Sequence, residues 1–276
     1  MTRMSDAPPP FSARLGAAIA EAGAPLCVGL DPDPSRLPAS VGDPEDPEAV
    51  VRFCVAITES TAPFAAAFKP NLAFFEAYGP DGWAVLDVVC EMVRESGRLL
   101  VLDGKRGDIG NTGRKYATAL YDRLGGDACT VAPYMGGDSV APFLEHAGCC
   151  AFVLVATSNP GAEDLQRLDA GGRPLYLTAA DLAVNAAASG AGEAGFVVGA
   201  TQPDLLADLR RRHPEVPFLV PGVGAQGGSP EVVLDANAGG PILVNASRSI
   251  LYAASGADYA EAAAEAAQRL NDALAG

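Results

Sequence analysis

Charged side chains that could support acid–base chemistry are concentrated in the segment LLVLDGKRGD, residues 99–108. The segment carries Asp103 and Lys105 directly after an apolar run. In extended backbone, residues two apart point to the same side, so the carboxylate and the ammonium are predicted to lie together. A carboxylate keeps a neighbouring lysine charged in a partly dry site, and a lysine held in this way can act as a general acid. Taken alone, the segment is more simply interpreted as a solvated turn.

Two more charged residues occupy equivalent positions, since Asp31 follows the apolar run 26–30 and Lys69 ends the run 65–69. The chain has only three lysines, and two of them, Lys69 and Lys105, lie at the ends of apolar runs. Charged residues at the ends of three successive runs favour one shared site over three unrelated turns.

A second group of candidate residues lies late in the chain, where the segment PGVGAQGG (residues 221–228) follows one apolar run and Arg248 follows the next. Glycines let backbone N–H groups approach a phosphate, a helix N-terminus adds a favourable dipole, and arginine supplies a bidentate contact. Taken alone, so short a glycine motif is better explained by a tight turn. Its position opposite Arg248 favours phosphate binding.

Two other polar segments carry weaker signals. The segment TSNPG, residues 157–161, places short hydrogen-bonding groups where a polar heterocycle could be recognised, and it is equally well explained as an Asn-Pro turn. The arginines at 210–212 are most simply interpreted as the solvated end of a helix, where cations complement the helix dipole.

The elements that must position these residues follow from the alternation of short apolar runs with helix-length stretches. Continuous apolar character is typical of parallel strands covered on both faces. Strands are predicted at residues 26–30, 65–69, 99–103, 129–132, 151–156, 195–199, 218–221 and 242–245. Helices are predicted at 11–22, 47–58, 82–96, 112–124, 138–146, 177–188, 202–212, 230–236 and 257–274.

Eight such units with no obvious linker predict an α/β protein in which residues 1–276 form a single (β/α)8 TIM barrel domain with a short Pro-rich N-terminal arm. A doubly wound open sheet is the alternative. In a barrel, the carboxyl ends of all strands share one face, and the loops after strands 7 and 8 frequently hold a phosphate. The barrel therefore predicts that the charged residues and the glycine segment face one site.

Composition narrows the classes of partner. The formal net charge of −15 disfavours nucleic acid and an anionic membrane surface as partners. No apolar run reaches the roughly 18 residues that span a bilayer, and the first residues lack the apolar stretch of a signal peptide, so a cytoplasmic location is expected.

Cysteine and histidine usage gives little support for a metal site or a histidine-based triad. The six cysteines include no C-x-x-C pair, which predicts reduced, buried thiols rather than disulfides or a zinc site. The two histidines, His146 and His213, lie near predicted helix ends. Acid–base chemistry is therefore expected from lysine and aspartate.

The segment DGKRGDIGNT, residues 103–112, resembles the Asp-x-Lys-x-x-Asp-Ile-x-Asn-Thr signature of the orotidine 5′-phosphate decarboxylase family. Lys-Pro-Asn at 69–71 and the segment 221–228 resemble the same family, and the likeness extends from about residue 27 to 252. With AFFEAYG at 73–79, the chain is most similar to the longer bacterial subgroup, type 2. Related barrels share Asp-x-Lys-x-x-Asp, but the Ile-x-Asn-Thr continuation and the Lys-Pro-Asn segment favour the nucleotide decarboxylase.

The resemblance implies decarboxylation of orotidine 5′-monophosphate to UMP and CO2 in pyrimidine biosynthesis, with no metal and no organic cofactor. It implies a charged network of Lys69, Asp103, Lys105 and Asp108. In this network Lys105 delivers a proton to C6 of the pyrimidine, and Asp103 stands beside the departing carboxylate.

The resemblance also implies the substrate contacts. Asp31 and Lys69 match positions that contact the ribose hydroxyls, and Ser158 matches the position that contacts the pyrimidine. Pro221, Gln226 and Arg248 match the phosphate side of the site.

A homodimer is a further implication of the resemblance. In the family, the second aspartate of the signature reaches into the neighbouring subunit's site. Asp108, with Ile109 and Thr112, is therefore expected to act across a dimer interface.

Two alternatives remain open at this point. One is a sugar-phosphate decarboxylase or aldolase-type synthase that uses Mg²⁺, although those relatives place an acidic metal ligand where this sequence has Lys69. The other is a non-catalytic sensor of a phosphorylated ligand, which would bind nucleotide without forming product.

Overall fold

The computed structural model describes residues 8–224 and 227–276 and contains a closed barrel of eight parallel strands in chain order. The strands are β1 (Leu26–Leu30), β2 (Ala67–Pro70), β3 (Leu99–Arg106), β4 (Ala128–Val131), β5 (Cys150–Ala156), β6 (Glu193–Val198), β7 (Phe218–Pro221) and β8 (Ile242–Ala246). The predicted barrel is confirmed, and the open sheet is wrong because β8 pairs with β1.

The first helix covers one end of this barrel, and the other helices lie outside it. They are α1 (Phe11–Ala22), α2 (Pro47–Thr61), α3 (Leu72–Glu76), α4 (Pro80–Glu95), α5 (Gly110–Ala117), α6 (Gly137–Val140), α7 (Leu175–Ala187), α8 (Pro203–Arg212), α9 (Pro230–Asn237), α10 (Arg248–Leu251) and α11 (Tyr259–Ala275).

Two apolar clusters make up the core, one inside the barrel and one between strands and helices. The inner cluster includes Val101, Phe152 and Leu243 from the strands together with Phe11 and Leu15 of α1. The rings of Phe11 and Phe152 meet edge to face with centroids 5.7 Å apart. Helix α1 therefore covers the amino-terminal end of the barrel, and the opposite end stays available for a site.

The predicted strand boundaries agree with the structure to within two residues, except at the end of β3, which extends three residues further to Arg106. The predicted helix 138–146 is divided into α6 and a 3₁₀ turn, Ala141–Leu144, because Pro142 cannot donate the hydrogen bond that an α-helix needs there. The predicted helix 112–124 begins at Gly110, and its last part, Thr118–Arg123, is a π-helix. The short helices α3 and α10 were not predicted.

The solvated interpretation of residues 210–212 is wrong for Arg210, which is buried. Its guanidinium donates to Oδ1 of Asn237 and to the carbonyl oxygens of Val216 and Pro241, and it lies over the ring of Phe218. Arg210 thereby ties α8 to the segments that lead into β7 and β8.

The helices in the described part of the chain include none with the length and apolar character needed to cross a bilayer. All six cysteines are free thiols, and five of them are buried. The buried thiols agree with the sequence-based expectation.

Candidate active site

An open cavity lies at the carboxyl ends of β1, β2, β3, β7 and β8. Its lining combines charged, amide and hydroxyl side chains with the glycine segment. The lining residues are Asp31, Lys69, Asn71, Asp103, Pro221, Gly222, Val223, Asn245, Ala246, Ser247 and Arg248. The barrel therefore brings five of the predicted site residues to one cavity, although they are up to 217 positions apart in the sequence (248 − 31).

The centre of the site is a buried ion pair. Nζ of Lys69 lies 2.9 Å from Oδ2 of Asp103, and both side chains are at least nine-tenths buried. Burial acts to raise the pKa of Asp103, but the charges of Lys69 and Lys105 outweigh it and hold that pKa well below its usual range. Burial acts to lower the pKa of Lys69, yet the carboxylates of Asp103 and Asp31 outweigh it and hold that pKa above its usual range. Both groups are therefore ionised at neutral pH.

Lys105 extends this network towards the opening of the barrel. Its Nζ lies 2.7 Å from Oδ1 of Asp103, and its side chain is 49% exposed, whereas that of Asp103 is 10% exposed. Asp103 is thus shared between a buried ammonium and one that can reach a ligand. The predicted proximity of Asp103 and Lys105 is confirmed.

The backbone that carries Lys105 belongs to an irregular part of β3, beyond the predicted strand 99–103. The register of β3 on β4 pairs Leu102 with Cys129 and Arg106 with Val131, so β3 has two extra residues in this interval. Lys105 adopts a φ of 47°. This left-handed conformation costs free energy for a residue with a side chain, and such outliers cluster at functional sites.

Thr130 of β4 supports the bulged part of β3. Its hydroxyl accepts a hydrogen bond from the backbone N–H of Lys105 (2.9 Å) and donates one to Oδ1 of Asp103 (2.8 Å). Thr130 is 1% exposed. No sequence pattern indicates this role, because Thr130 lies inside a short strand whose side chains are all buried.

Two buried oxygens of the cavity lack a hydrogen-bond partner among the described residues, namely Oδ1 of Asp31 and Oδ1 of Asn245. Buried polar atoms in folded proteins are nearly always hydrogen-bonded. Since both residues line the cavity, their oxygens are suited to accept hydrogen bonds from the hydroxyl or amide groups of a polar ligand.

The glycine segment closes on itself on the other side of the cavity. The N–H of Gly224 donates to the carbonyl of Gly228, that of Gly227 to Gly224, and that of Gly228 to Gly222. Gly222, Gly224 and Gly227 have φ values of 103°, 76° and 87°, a region that favours glycine. These three amides are occupied within the loop, and the guanidinium of Arg248 is a cation that lines the cavity beside Gly222 and Val223. The predicted phosphate contact Gln226 lies outside the described residues.

Four other predicted residues, Asp108, Ile109, Thr112 and Ser158, are not among the described residues that line the cavity. Asp108 accepts a hydrogen bond from the N–H of Ile109 through its own side chain, and no contact among the described residues joins it to Lys105. Ile109 is 48% exposed, and Thr112 is exposed in the first turn of α5. Ser158 follows β5 and packs against the backbone of Gly199, where a Cβ atom would lie 2.8 Å from the Cβ of Ser158. The roles expected for these four residues stay predictions.

Several lining residues were not among the predicted site residues. Asn71, Asn245 and Ser247 all lie at or directly after strand ends. Their position at the carboxyl face of a barrel is the signal that could have identified them. In the described part of the chain, no three His, Cys, Asp or Glu side chains are grouped closely enough to hold a metal ion.

A (β/α)8 barrel whose charged network and cavity-lining Arg248 lie at the carboxyl ends of its strands has the arrangement typical of barrel enzymes. Residues 24–265 match the model of the orotidine 5′-phosphate decarboxylase / HUMPS family. Because this match covers most of the chain, the chain belongs to that family. The resemblance stated from the signature is therefore confirmed.

Individual relatives agree with this assignment. The orotidine 5′-phosphate decarboxylase of Roseiflexus castenholzii is 49% identical over 254 residues, which cover 90% of this chain and 91% of the relative. The solved structure of Leishmania donovani OMP decarboxylase aligns with a TM-score of 0.80 and 38% identity, covering 96% of this chain and 99% of that one. The solved structure of Leishmania donovani UMP synthase aligns with a TM-score of 0.82 and 40% identity; 96% of this chain is covered, but only 56% of that longer chain.

Proposed function

We propose that this protein converts orotidine 5′-monophosphate to UMP and CO2, with Lys105 as the proton donor. The observation that carries the proposal is the Lys69–Asp103–Lys105 network, in which a buried ion pair fixes a half-exposed ammonium at the mouth of the barrel. The relatives are carboxy-lyases of this specificity by name, which supports the choice of substrate.

The reaction requires that the site stabilise negative charge on C6 of the pyrimidine. The bond between C6 and the carboxylate breaks, CO2 leaves, and the electron pair stays on C6. A positive charge that is already in place lowers the free energy of this transition state more than mobile water does. Lys105 then transfers one proton to C6, and the half-exposed amine regains a proton from solvent.

Asp103 and Lys69 serve this step by fixing the proton donor. Asp103 accepts from both ammonium groups, so the Lys105 ammonium has a defined position before substrate binds. The role of Asp103 in positioning the Lys105 ammonium is sufficient to explain why a carboxylate lies beside the proton donor.

We propose the substrate contacts that the family resemblance implies, and four of these residues, Asp31, Lys69, Pro221 and Arg248, line the cavity. We assign Asp31 and Lys69 to the ribose hydroxyls and Ser158 to the pyrimidine. Pro221, Gln226 and Arg248 are assigned to the phosphate side. Contacts to the phosphate, which does not react, can supply binding energy that is used at the pyrimidine, so loss of Arg248 is expected to affect turnover as well as affinity.

We further propose a homodimer in which Asp108, Ile109 and Thr112 complete the partner's site. Exposed apolar side chains support an interface near these residues: Tyr134 is 82% exposed, and Met135 is 52% exposed. Helix α5 carries Thr112 and packs against α6. Helix α6 begins at Gly137, shortly after Tyr134 and Met135 in the chain. Large exposed apolar side chains that are neighbours in the chain, such as these two, favour a protein–protein contact at this surface.

The proposed reaction also has requirements for cofactors, partners and cellular location. The reaction is proposed to need no metal and no organic cofactor, with neither nucleic acid nor membrane as a partner. We propose that the chain forms a single barrel domain with a short N-terminal arm. A cytoplasmic location is supported by six free thiols, which are rare in oxidising compartments.

The test is the loss of orotidine 5′-monophosphate absorbance with EDTA-treated protein. We expect full turnover without added metal, and we expect Lys105→Ala to abolish turnover while leaving a folded protein by circular dichroism. Lys115→Ala is the matched control, because Lys115 is an exposed lysine on α5 for which we propose no role in the site. UMP formation at a near-normal rate by Lys105→Ala would overturn the proposal, and turnover restored only by Mg²⁺ would favour the metal-dependent alternative.

A further inference from the structure

We infer that Thr130 is a positioning residue for this reaction, holding Lys105 and Asp103 in their relative geometry through one hydroxyl group. The inference rests on the proposed function for its kinetic consequence. It rests on the geometry of β3 and β4 for everything else.

The irregular pairing of β3 creates the need for such a group. Between Leu102 and Arg106 the strand carries two extra residues, so the N–H of Lys105 has no place in the regular ladder with β4. A buried N–H that has no hydrogen-bond partner destabilises the folded state. The hydroxyl of Thr130 accepts this N–H at 2.9 Å and replaces the missing ladder bond.

The same hydroxyl reaches the acid of the network. A hydroxyl has one proton to donate and lone pairs to accept with, so accepting from Lys105 leaves its proton for Asp103. That bond, to Oδ1 of Asp103, is 2.8 Å long. Oδ1 is also the oxygen that Lys105 Nζ contacts, at 2.7 Å. Thr130 therefore binds the backbone of the proton donor at one point and the carboxylate that orients its ammonium at another.

Burial makes this arrangement rigid. Thr130 is 1% exposed, and its neighbours along the strand, Cys129 and Val131, are fully buried. Its branched side chain restricts χ1 rotation, so the hydroxyl has little freedom to follow Lys105 if the backbone moves. The positive φ of Lys105 is a conformation that the surroundings must maintain, and the hydrogen bond from its N–H is one contact that does so.

The test compares Thr130→Val, which keeps the shape and removes the hydroxyl, with Thr130→Ser, which keeps the hydroxyl. We expect kcat of Thr130→Val to fall by about 100-fold, the loss typical of a small misplacement of reacting groups, with a much smaller change in KM. Thr130→Ser should recover most of kcat. Rates are expressed per folded molecule, so that a loss of stability is not counted as a loss of catalysis.

Thr58→Val provides the matched control. Thr58 is equally buried, on α2 outside the barrel, and its hydroxyl has no hydrogen-bond partner among the described residues. Its replacement should leave kcat and KM unchanged. This control separates loss of the Thr130 hydroxyl from any general effect of adding an apolar side chain to the core.

A second measurement is independent of turnover. Hydrogen exchange at the Lys105 amide should be slow in the wild type and in Thr130→Ser, and about 10-fold faster or more in Thr130→Val, which is the effect of losing roughly 1.4 kcal/mol of protection. Equal exchange in all three proteins, or a kcat of Thr130→Val within twofold of wild type, would overturn the inference. If the wild type failed to decarboxylate the substrate while the exchange difference was present, the proposed function would fail and the structural role of Thr130 would stand.

Discussion

The Asp103 carboxylate accepts hydrogen bonds from three side chains, Lys69, Lys105 and Thr130, and it is the residue on which the site geometry depends most. Sequence spacing predicted the contact with Lys105 and placed Lys69 at the end of the neighbouring strand. It did not predict Thr130, because hydrogen bonding across a bulge depends on the register of two strands, which no local pattern specifies.

Replacing Asp103 should destabilise the folded protein, because Lys69 would stay buried without its ion-pair partner. In Asp103→Asn the ammonium of Lys69 stays buried without the carboxylate that it contacts at 2.9 Å. Breaking a buried pair by removing one partner costs about 3–5 kcal/mol, whereas removing both charges often costs little. We expect Asp103→Asn to lower the free energy of unfolding by about 3 kcal/mol in urea titrations. The Lys69→Met, Asp103→Asn double variant should be more stable than the single variant, and the opposite order would contradict this account.

The pH dependence of stability follows from the same pair. The pKa of Asp103 is lowered on folding, so its contribution is fully present above its usual pKa of about 3.9 and is lost as the pH falls through the lowered value. The pKa of Lys69 is raised on folding, so its contribution is fully present below about pH 10.4 and is lost as the pH rises through the raised value.

The double variant, which has neither titrating group, is the reference for this prediction. The difference in free energy of unfolding between wild type and the double variant should be constant from about pH 5 to pH 9 and should decrease below about pH 4. Urea titrations of both proteins at matched pH measure it. A steady slope across neutral pH would show that one member of the pair titrates there.

Among the elements, the strands were predictable and several local departures were not. Continuous apolar runs identified all eight strands because a parallel strand is buried on both faces. The end of β3 was underestimated because Gly104, Lys105 and Arg106 carry no apolar signal. Arg210 was misplaced because a run of arginines is usually solvated, and its burial depends on carbonyl groups far along the chain, such as that of Pro241.

Close packing of β1 against the segment after β8 is an element-scale feature with a direct test. A Cβ atom at Gly29 would lie 1.9 Å from Oγ of Ser247 and 3.2 Å from Oδ1 of Asn245. Gly29→Ala therefore forces Ser247 to move, and with it Arg248 at the start of α10. We expect KM for orotidine 5′-monophosphate to rise about tenfold or more, equivalent to roughly 1.4 kcal/mol, as measured by initial rates.

Gly16→Ala is the matched control for this substitution. Gly16 lies within α1 at the other end of the barrel, and a Cβ atom there meets nothing within 4 Å. Replacing glycine by alanine inside a helix should stabilise the protein by about 0.5–1 kcal/mol and leave KM unchanged. If Gly29→Ala left KM equally unchanged, the approach of β1 to Ser247 would have no role in binding.

At the scale of the whole molecule, the protein and its proposed ligand both carry negative net charge, yet the barrel gathers cations at the site. The chain carries a formal charge of −15, which repels an anionic nucleotide at a distance. The cavity nevertheless presents Lys69 and Arg248, with Lys105 beside it, at one end of the barrel. Binding must therefore depend on local contacts, and substrate affinity is expected to depend on individual cations more than on ionic strength.

In the proposed dimer, each active site is built from residues of both subunits, and mixed dimers can test this arrangement. If Asp108 acts in the partner's site while Lys105 acts in its own, Lys105→Ala and Asp108→Ala homodimers are each inactive. A mixed dimer then has one site with both substitutions and one with neither. After the two variants are unfolded and refolded together in equal amounts, half of the dimers are mixed, so about a quarter of wild-type activity should return. Mixing Lys105→Ala with Asp103→Asn is the control, because both residues belong to the same site within one chain and no intact site can form. Recovery in neither mixture would place Asp108 in its own subunit's site, and an active Asp108→Ala homodimer would place it outside the site.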